Sequence, residues 1–346
     1  MATGQWPTLI DLTSRIDGAG EMMVIAEMLS QSLAIAKDAP YREATEIGGH
    51  TFAFRDSIPT GSWRQMNTGV PYSKSTTGKS TVGIASLEDY SQCDLWLAEQ
   101  SGNIDRFREI EDVSFLQGMG QTWEQGVFYG NVAANPTQFN GLSSFYNTIS
   151  GAQNGANVIN GGGVGTSNLS FWLIGWSPRT IYMIYPRGSK AGLSMEDKGD
   201  TVPGFDAVGN RFEALTSWFR QQGAIVPEDW RFGARLANVD VTNAGLAGPN
   251  ALDLFATFRE VELLLPTLTS ESSGITETDA PDDIAPGIRP CWYTNRTGRH
   301  WLDVQAMRQR NVLIGLKDSA GRPVDSIGPI ILRVSDQLLT TEGGVT

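Results

Sequence analysis

Residues 47–86 constrain the fold of this chain more than any other segment, because they cannot build a hydrophobic core of their own. The pattern predicts short strands and turns, and the aromatic side chains Phe52, Phe54, Trp63 and Tyr72 are scattered along them. A two-stranded ribbon alone is at best marginally stable in water. Such an arm persists only where another surface covers it, and we expect that surface to be a second copy of the chain. The segment therefore predicts assembly and not catalysis.

Length and composition are those of an ordinary folded protein. The 346 residues suffice for one large or two modest domains, and 40% of them are hydrophobic while 18% are charged. The formal net charge of -12 argues against a protein that binds nucleic acid by neutralising its phosphates. The same charge is compatible with a protein that only surrounds DNA, because weak repulsion leaves the enclosed polymer mobile.

The two cysteines and the apolar segments bear on the compartment. Cys93 and Cys291 follow no metal-ligand spacing, so we interpret them as buried thiols in a reducing compartment, with a disulfide as the alternative. The first twelve residues lack the basic and apolar parts of a signal peptide. The longest apolar runs, such as residues 171–176, are too short to span a bilayer. These features predict a soluble protein that is cytoplasmic when made.

Periodicity along the chain predicts a mixed fold. Helices are expected at residues 19–37, 86–102, 103–129, 252–265 and 297–307, and strands at residues 169–176, 180–185, 230–237, 311–317 and 330–334. The helix over 86–102 is predicted from a capping box at Ser86 and Asp89 and from Gly102 at its end. Since helices and strands do not alternate regularly, the fold class is α+β and not a doubly wound sheet.

The helix predicted at residues 103–129 is the longest. Apolar residues recur in it every three or four positions, which is typical of a rod with one apolar face. A coiled coil is one interpretation. Because the repeat drifts and includes Gly118, Gly120 and Gly126, we favour packing on a sheet.

Two short motifs resemble nucleotide-binding loops without matching them. Thr77-Gly78-Lys79-Ser80 is similar to the end of a phosphate-binding loop, but Ser73 stands where that pattern needs glycine, and no apolar strand precedes it. The glycine-rich residues 161–165 lack the third glycine of the dinucleotide fingerprint. We interpret both as flexible exposed segments.

No residues stand out as a metal or catalytic site. His50 and His300 have no ligand partner at helical or turn spacing, so each is expected to be a surface histidine or one whose hydrogen bonds are satisfied. The carboxylates of residues 277–283 could bind a hard cation, but they lack the spacing of a calcium-binding loop and favour a solvated acidic loop. We expect no cofactor and no bound metal.

The tryptophans divide into core and interface candidates. Six are expected in the core by their strand or helix context: Trp172, Trp176, Trp218, Trp230, Trp292 and Trp301. Trp6 and Trp63 instead lie on arms, where no core is available. Since aromatic and arginine side chains are typical interface anchors, Trp63 with Arg64 is the pair that we expect at an inter-subunit contact.

Four long stretches resemble one family. They are QGVFYGNVAANPTQFNGL at residues 125–142, SFWLIGWSPRTIYMIYPRGSKAGLSMED at 170–197, EDWRFGARLANVDV at 228–241 and PCWYTNRTGRHWLDVQA at 290–306. With the order of arm, extended loop, long helix, mixed domain and returning strand, they are similar to tailed-phage major capsid proteins of the Hong Kong 97 type. The likeness is strongest to the group typified by the coat protein of Salmonella phage epsilon 15.

The resemblance implies a division of the chain into five parts. These are an N-terminal arm at residues 1–46, an extended β-loop at 47–86, a peripheral domain with the spine helix at 87–150, an axial domain at 151–238, and a return to the peripheral domain at 239–346. The extended loop would lie across a neighbouring subunit. We expect the inter-subunit contacts at Trp6, Phe52, Phe54, Trp63, Arg64, Tyr72, Lys74 and Lys79.

The resemblance also implies function and partners. It predicts a non-enzymatic major capsid protein that assembles through hexamers and pentamers into an icosahedral shell, enclosing double-stranded DNA without sequence-specific binding. A portal protein, a separate scaffolding protein and a decoration protein are the further partners to expect, and no membrane is involved. Assembly is expected in the host bacterial cytoplasm, and the product is the capsid of the virion.

Two other functions remain open from sequence. One is an encapsulin-like compartment of the same fold that encloses protein cargo. The other is a soluble enzyme with an unrecognised carboxylate site, which predicts a small oligomer with a well-formed pocket. Some relatives cross-link lysine to asparagine, and Lys74 and Lys79 lie on the corresponding loop, but no matching asparagine is assigned and no such bond is predicted.

Overall fold

The structure is a computed structural model that describes residues 33–151, 153–200, 202–205, 208–242, 252–266, 287–308, 314–315, 326–327 and 330–346. Of the helix predicted at residues 19–37, only the last turn, Ile35–Asp38, falls within them. Trp6, most of the N-terminal arm and the acidic residues 277–283 lie outside the described residues.

Six α-helices and sixteen strands are described. The helices are α1 (Ile35–Asp38), α2 (Leu95–Gln100), α3 (Ile104–Tyr129), α4 (Leu142–Phe145), α5 (Leu254–Leu264) and α6 (Arg296–Arg308). The strands are β1 (Tyr41–Glu43), β2 (Gly49–Ser57), β3 (Thr76–Gly83), β4 (Ala85–Asp94), β5 (Val158–Asn160), β6 (Asn168–Trp176), β7 (Ile181–Tyr185), β8 (Leu193–Gly199), β9 (Gly204–Phe205), β10 (Arg211–Phe212), β11 (Ala214–Pro227), β12 (Gly233–Asp240), β13 (Arg289–Thr294), β14 (Ile314–Gly315), β15 (Ser326–Ile327) and β16 (Ile330–Val334).

Strand β6 lies at the centre of the main sheet. All nine of its residues are buried, and it pairs antiparallel with β12 on one side and with β13 on the other. The sheet runs in the order β14-β15-β16-β13-β6-β7-β11-β4, with β1, β5, β8 and β12 added along its sides. Trp172, Trp176 and Trp292 are each at most 1% exposed, which confirms that they belong to the core.

Strand β11 joins two parts of this sheet. Its last four residues pair with β7, and residues 214–223 pair with β4 while β8 lies along its other edge. The sequence pattern indicates no strand here, because polar residues interrupt any apolar alternation: Thr216, Ser217, Arg220, Gln221 and Gln222. Pairing on both edges, which sequence does not reveal, satisfies the backbone of this strand.

The prediction of a helix over residues 86–102 is wrong. Ala85–Asp94 is strand β4, and only Leu95–Gln100 is helical. Asp94 is the N-cap of this helix, and its carboxylate accepts the backbone N–H of Trp96 at 2.9 Å, so the cap lies eight residues beyond Ser86. The ladder with β11 spans all ten residues of β4 and outweighs the local capping signal.

The long helix is confirmed as α3, and it packs on the sheet and not in a coiled coil. Asn103 caps its N-terminus by accepting the backbone N–H of Arg106 at 3.1 Å. The ring of Phe115 stacks on that of Phe219 in β11, with 6.5 Å between centroids. Helices and strands do not alternate regularly along the chain, so the fold class is α+β, as the sequence predicts.

The two cysteines are buried and free, as the sequence indicated. Burial raises the pKa of the Cys93 thiol, and likewise that of Cys291, to about 11. Both side chains are therefore neutral thiols at physiological pH and act as small apolar groups in the core.

Candidate assembly surface

The segment that cannot form a core is a long β-hairpin set apart from the main sheet. Strands β2 and β3 pair antiparallel from Gly49 and Gly83 at the base to Ser57 and Thr76 at the far end, with one irregularity after Arg55. Side-chain hydroxyls reinforce the far end, where Ser57 Oγ and Thr76 Oγ1 are 2.7 Å apart. The connecting residues 58–75, here called the hairpin tip, form no helix or strand.

The hairpin tip carries a set of large apolar side chains that lie almost entirely in solvent. Trp63 and Tyr72 are 104% and 106% exposed, and Met66 is 92% exposed. Arg64 and Lys74 are exposed beside them. Four of the predicted interface residues, Trp63, Arg64, Tyr72 and Lys74, therefore lie on this one loop. Exposed apolar groups at such density are typical of a surface that another molecule covers.

Phe52 and Phe54 have a different place from Trp63 and Tyr72. Both lie on β2 and are half-buried, and Phe52 packs against the main core. The ring of Phe54 covers Gly78 on β3, so closely that a Cβ at that position would lie 2.6 Å from it. These two phenylalanines therefore stabilise the hairpin within its own chain.

The phosphate-loop-like residues 77–80 form part of β3. Their backbone takes part in the ladder with β2, and Lys79 is exposed opposite Ala53. A phosphate-binding loop needs free backbone N–H groups at a helix N-terminus, and a strand in a ladder does not supply them. Lys79 is thus a surface cation of the hairpin, with Lys74 nearby in sequence.

A buried polar cluster at the base of the hairpin was missed by sequence reasoning. His50 is 2% exposed, and its Nε2 lies 2.9 Å from the hydroxyl of Tyr182, which donates to Glu228 at 2.7 Å. Arg42 Nη1 lies 3.4 Å from the same carboxylate. The histidine is satisfied, as expected, but partners 132 positions away leave no spacing signal in the sequence.

The protonation of this cluster follows from burial. Burial lowers the pKa of His50, and the charge of Arg42 lowers it further, while Glu228 acts in the opposite sense. Burial and the hydrogen bond to Glu228 raise the pKa of Tyr182 well above its ordinary value. Neutral histidine, neutral tyrosine and the Arg42–Glu228 ion pair are therefore the resting state.

A cleft lies beside the hairpin base. Its volume is about 550 Å³, and it is lined by Lys37, Arg42, Arg179 and Arg289, with Tyr41 and Pro178 among its other walls.

Among the described residues, no group of three or more histidine, cysteine or acidic side chains could hold a metal ion. Within the same part of the chain, no helix is long and apolar enough to cross a membrane.

Solved structures with a similar fold are capsid and shell proteins. A structure of bacteriophage Epsilon15 matches with a TM-score of 0.73 and 26% identity, over 100% of both chains. The capsid of bacteriophage JBD30 matches at a TM-score of 0.48 and 12% identity, over 90% of this chain and 93% of the other. The SrpI encapsulin complex of Synechococcus elongatus PCC 7942 reaches a TM-score of 0.41 at 10% identity, over 64% and 94%.

Of the two sequence comparisons, the one with protein families agrees with the fold. The other finds no curated protein that matches the chain. The family described as major capsid protein GP7 matches residues 17–346, which is most of the chain and includes the hairpin, α3 and the main sheet. The chain belongs to this family and is a major capsid protein of tailed phages, a structural component of the virion.

Proposed function

We propose that the hairpin tip binds a neighbouring copy of the chain, and that copies joined in this way form hexamers and pentamers of an icosahedral shell. The observation that carries the proposal is the exposure of Trp63 and Tyr72 on a ribbon that has no core to receive them. The remaining predicted contacts are on the same hairpin and on the N-terminal arm: Phe52, Phe54, Arg64, Lys74, Lys79 and Trp6.

The energy of such a contact is modest for one copy. Burying an aromatic side chain contributes roughly 1.5–3 kcal/mol. Ordering a residue of the tip costs about 1–2 kcal/mol of backbone entropy, so each buried aromatic side chain offsets the ordering of only about one to three residues. A closed shell repeats the contact in every subunit, and the small terms add because the symmetry forces every copy to make it.

Charge favours the same partner. The tip carries Arg64 and Lys74, whereas the whole chain has a formal net charge of -12. A neighbouring copy therefore presents a predominantly negative surface to a positive hairpin. Complementary charge of this kind speeds encounter and sets orientation more than it adds affinity.

The content of the shell follows from the family. We infer that the shell encloses double-stranded DNA, as expected of a tailed-phage capsid, and the net charge of -12 argues against binding that DNA by neutralising its phosphates. Assembly in the host bacterial cytoplasm, with a separate scaffolding protein, a portal protein and a decoration protein, completes the proposal. The proposal also includes the division of the chain into an N-terminal arm, an extended loop, and peripheral and axial domains. It further includes the absence of catalytic activity.

The test is assembly of the chain expressed with and without a scaffolding protein, followed by size-exclusion chromatography and negative-stain electron microscopy. The native chain is expected to form closed shells, tubes or capsomer-sized rings. The double variant Trp63→Ala/Tyr72→Ala is expected to raise the concentration needed for assembly at least tenfold, with an unchanged circular dichroism spectrum.

The matched control is Trp63→Phe/Tyr72→Phe, which keeps the apolar rings and should assemble like the native chain. Assembly of the alanine variant at native concentrations would remove the hairpin tip from the proposal. A compact dimer or tetramer of the native chain, with nothing larger in the presence of scaffold, would contradict it as a whole.

A further inference from the structure

The cleft beside the hairpin base brings together four cations from distant parts of the chain. Lys37 lies in α1, Arg42 in β1, Arg179 in the turn between β6 and β7, and Arg289 at the start of β13, and all four are exposed. Because the whole chain has a formal net charge of -12, the cleft is a local positive region on a negative molecule. Its volume of about 550 Å³ is in the range of small-ligand sites.

Three of these cations have no acidic partner among the described residues. Lys37, Arg179 and Arg289 form no ion pair there, whereas Arg42 Nη1 lies 3.4 Å from the carboxylate of Glu228. Like charges that converge on one cleft repel each other, and an anion held between them replaces that repulsion with attraction. The cleft therefore carries an excess of positive charge that a bound anion would balance.

The acidic residue that lines the cleft does not supply this balance. Asp38 is 4% exposed, and both of its carboxylate oxygens already accept hydrogen bonds. Arg333 donates to them from Nε and Nη2 at 3.1 Å each, and the hydroxyl of Tyr293 donates at 2.9 Å. Because Arg333 lies outside the lining, the charge of Asp38 is neutralised from behind the cleft wall.

The main sheet sets the positions of the cleft walls before any ligand binds. Arg42 Nη1 donates to the carbonyl oxygen of Pro178 at 3.3 Å, which holds β1 beside the turn between β6 and β7. Arg289 is paired with Trp176 in the ladder between β13 and β6. The indole of Trp176 is 1% exposed, and its N–H donates to Tyr293 at 2.7 Å. Such a preformed site loses little freedom when a ligand binds.

We propose that this cleft is a binding site for a small ligand that carries two or more linked phosphate groups. The planar fork of an arginine matches two phosphate oxygens, and the cleft offers three arginines and one lysine. Lys37 and Arg42 precede the hairpin, whereas Arg179 and Arg289 belong to the central strands of the sheet. A ligand bound by both pairs links the start of the described chain to the main sheet.

Charge distinguishes this ligand class from two others. A terminal phosphate carries up to about two negative charges on three oxygens, so it gains more from converging cations than a carboxylate with one charge. A long nucleic acid would extend beyond the cleft and meet a surface that is negative overall, whereas a small ligand stays within the positive region. The inference concerns a single chain and does not depend on assembly of a shell.

The test is isothermal titration calorimetry of the whole chain with inorganic triphosphate at low salt. We expect one site per chain with a Kd between about 1 μM and 1 mM. The variant Arg179→Gln/Arg289→Gln is expected to bind at least about tenfold more weakly, because two charge-assisted hydrogen-bonding groups are removed. The matched control is Arg187→Gln/Lys190→Gln, which removes the same charge from the exposed turn after β7 and should bind like the native chain. Equal weakening in both variants would assign binding to net charge and overturn the site.

Two further ligands test the class of anion. Citrate carries three carboxylates and is expected to bind at least about tenfold more weakly than triphosphate. Equal affinity for citrate would contradict a phosphate site. Duplex DNA that binds more tightly than triphosphate, and that the Arg179→Gln/Arg289→Gln variant also weakens, would overturn the small-ligand assignment. A native chain with a Kd for triphosphate above about 1 mM would overturn the proposal as a whole.

A second measurement uses the native chain alone, so it does not depend on the folding of any variant. Amide hydrogen exchange with and without triphosphate reports which backbone segments the ligand stabilises. We expect slower exchange in residues 37–42 and 177–180, which line the cleft, and unchanged exchange in the hairpin tip. Protection that appears elsewhere and leaves both cleft segments unchanged would place the ligand at another site and contradict the inference.

Discussion

At the scale of single residues, buried polar side chains tie the last residues of the chain to the core. Arg235 on β12 forms an ion pair with Glu342 at 2.8 Å, and the two side chains are 4% and 5% exposed. The guanidinium also donates to Ser170 at 2.9 Å and lies 4.9 Å from the centroid of the Trp172 ring. Glu342 accepts further hydrogen bonds from Tyr129 and from the backbone of Ser170, so the pair is fully satisfied.

Glu342→Ala is expected to lower the free energy of unfolding by roughly 3–5 kcal/mol, because it leaves the buried charge of Arg235 without a partner. Urea denaturation followed by circular dichroism measures the change. The control is Arg296→Ala, which removes the ion pair between Arg296 and Asp336. Because Arg296 is 73% exposed, this variant should lower the free energy of unfolding by at most about 1 kcal/mol. Equal losses in the two variants would show that burial does not determine the value of this pair.

Glu124 on α3 is a buried carboxylate that has hydrogen bonds but no cation among its described contacts. It accepts the backbone N–H of Ala34 at 3.2 Å and the hydroxyl of Ser335, and burial raises its pKa. A raised folded-state pKa means that its contribution to stability is present at low pH and is lost as the pH rises through that pKa.

Glu124→Gln is therefore expected to gain stability relative to the native chain as the pH rises from about 5 to 8, because the amide stays neutral. Guanidinium denaturation of both proteins across this range measures the difference. Parallel stability curves would show that Glu124 does not titrate differently in the folded and unfolded states.

Sequence reasoning found some residues of the candidate surface and missed others for one physical reason. Trp63 and Tyr72 were predicted because an aromatic on a segment without a core is visible locally. His50 was left without a role because Tyr182 and Glu228 approach it only after β2 and β7 are in place. Phe52 packs against the main core and Phe54 covers Gly78 within the hairpin, and both contacts depend on the register of β2 with β3.

At the scale of elements, period and capping predicted what is local. Helix α3 follows from an apolar repeat of three to four residues and from Asn103 at its start. Strand β4 was mistaken for a helix and β11 was missed, because each is stabilised by its partner strands and not by its own pattern. Non-local pairing overrides a local propensity of a few tenths of a kcal/mol per residue.

Asn103→Ala tests the cap of α3. It removes the acceptor for the backbone N–H of Arg106 and should lower the free energy of unfolding by about 1 kcal/mol, within a range of roughly 0.5–2 kcal/mol. Asn103→Asp is the matched control, since it keeps an acceptor and places a negative charge at the helix N-terminus. If both variants lose the same stability in urea, the side-chain cap is not the cause.

At the scale of the whole molecule, the hairpin tip is separable from the fold. Replacing residues 58–75 with Asn-Gly closes β2 and β3 with a two-residue turn. Because the tip is exposed and the shorter loop costs less entropy to close, we expect the free energy of unfolding to stay the same or rise by up to about 2 kcal/mol, while shell assembly is lost. Denaturation and electron microscopy of the same preparation separate the two effects. A large loss of stability would place the tip within the fold of its own chain.

The sequence by itself determined the fold class, the long helix, the strands at the centre of the sheet and the presence of an arm without a core. Each of these depends on periodicity or composition within a short window, which burial and propensity translate directly into structure. The tertiary structure alone decided that β11 joins the two parts of the sheet, that β4 is a strand, and that His50 meets Tyr182 at the hairpin base. Those features arise from contacts between distant positions, whose geometry exists only once the chain has folded.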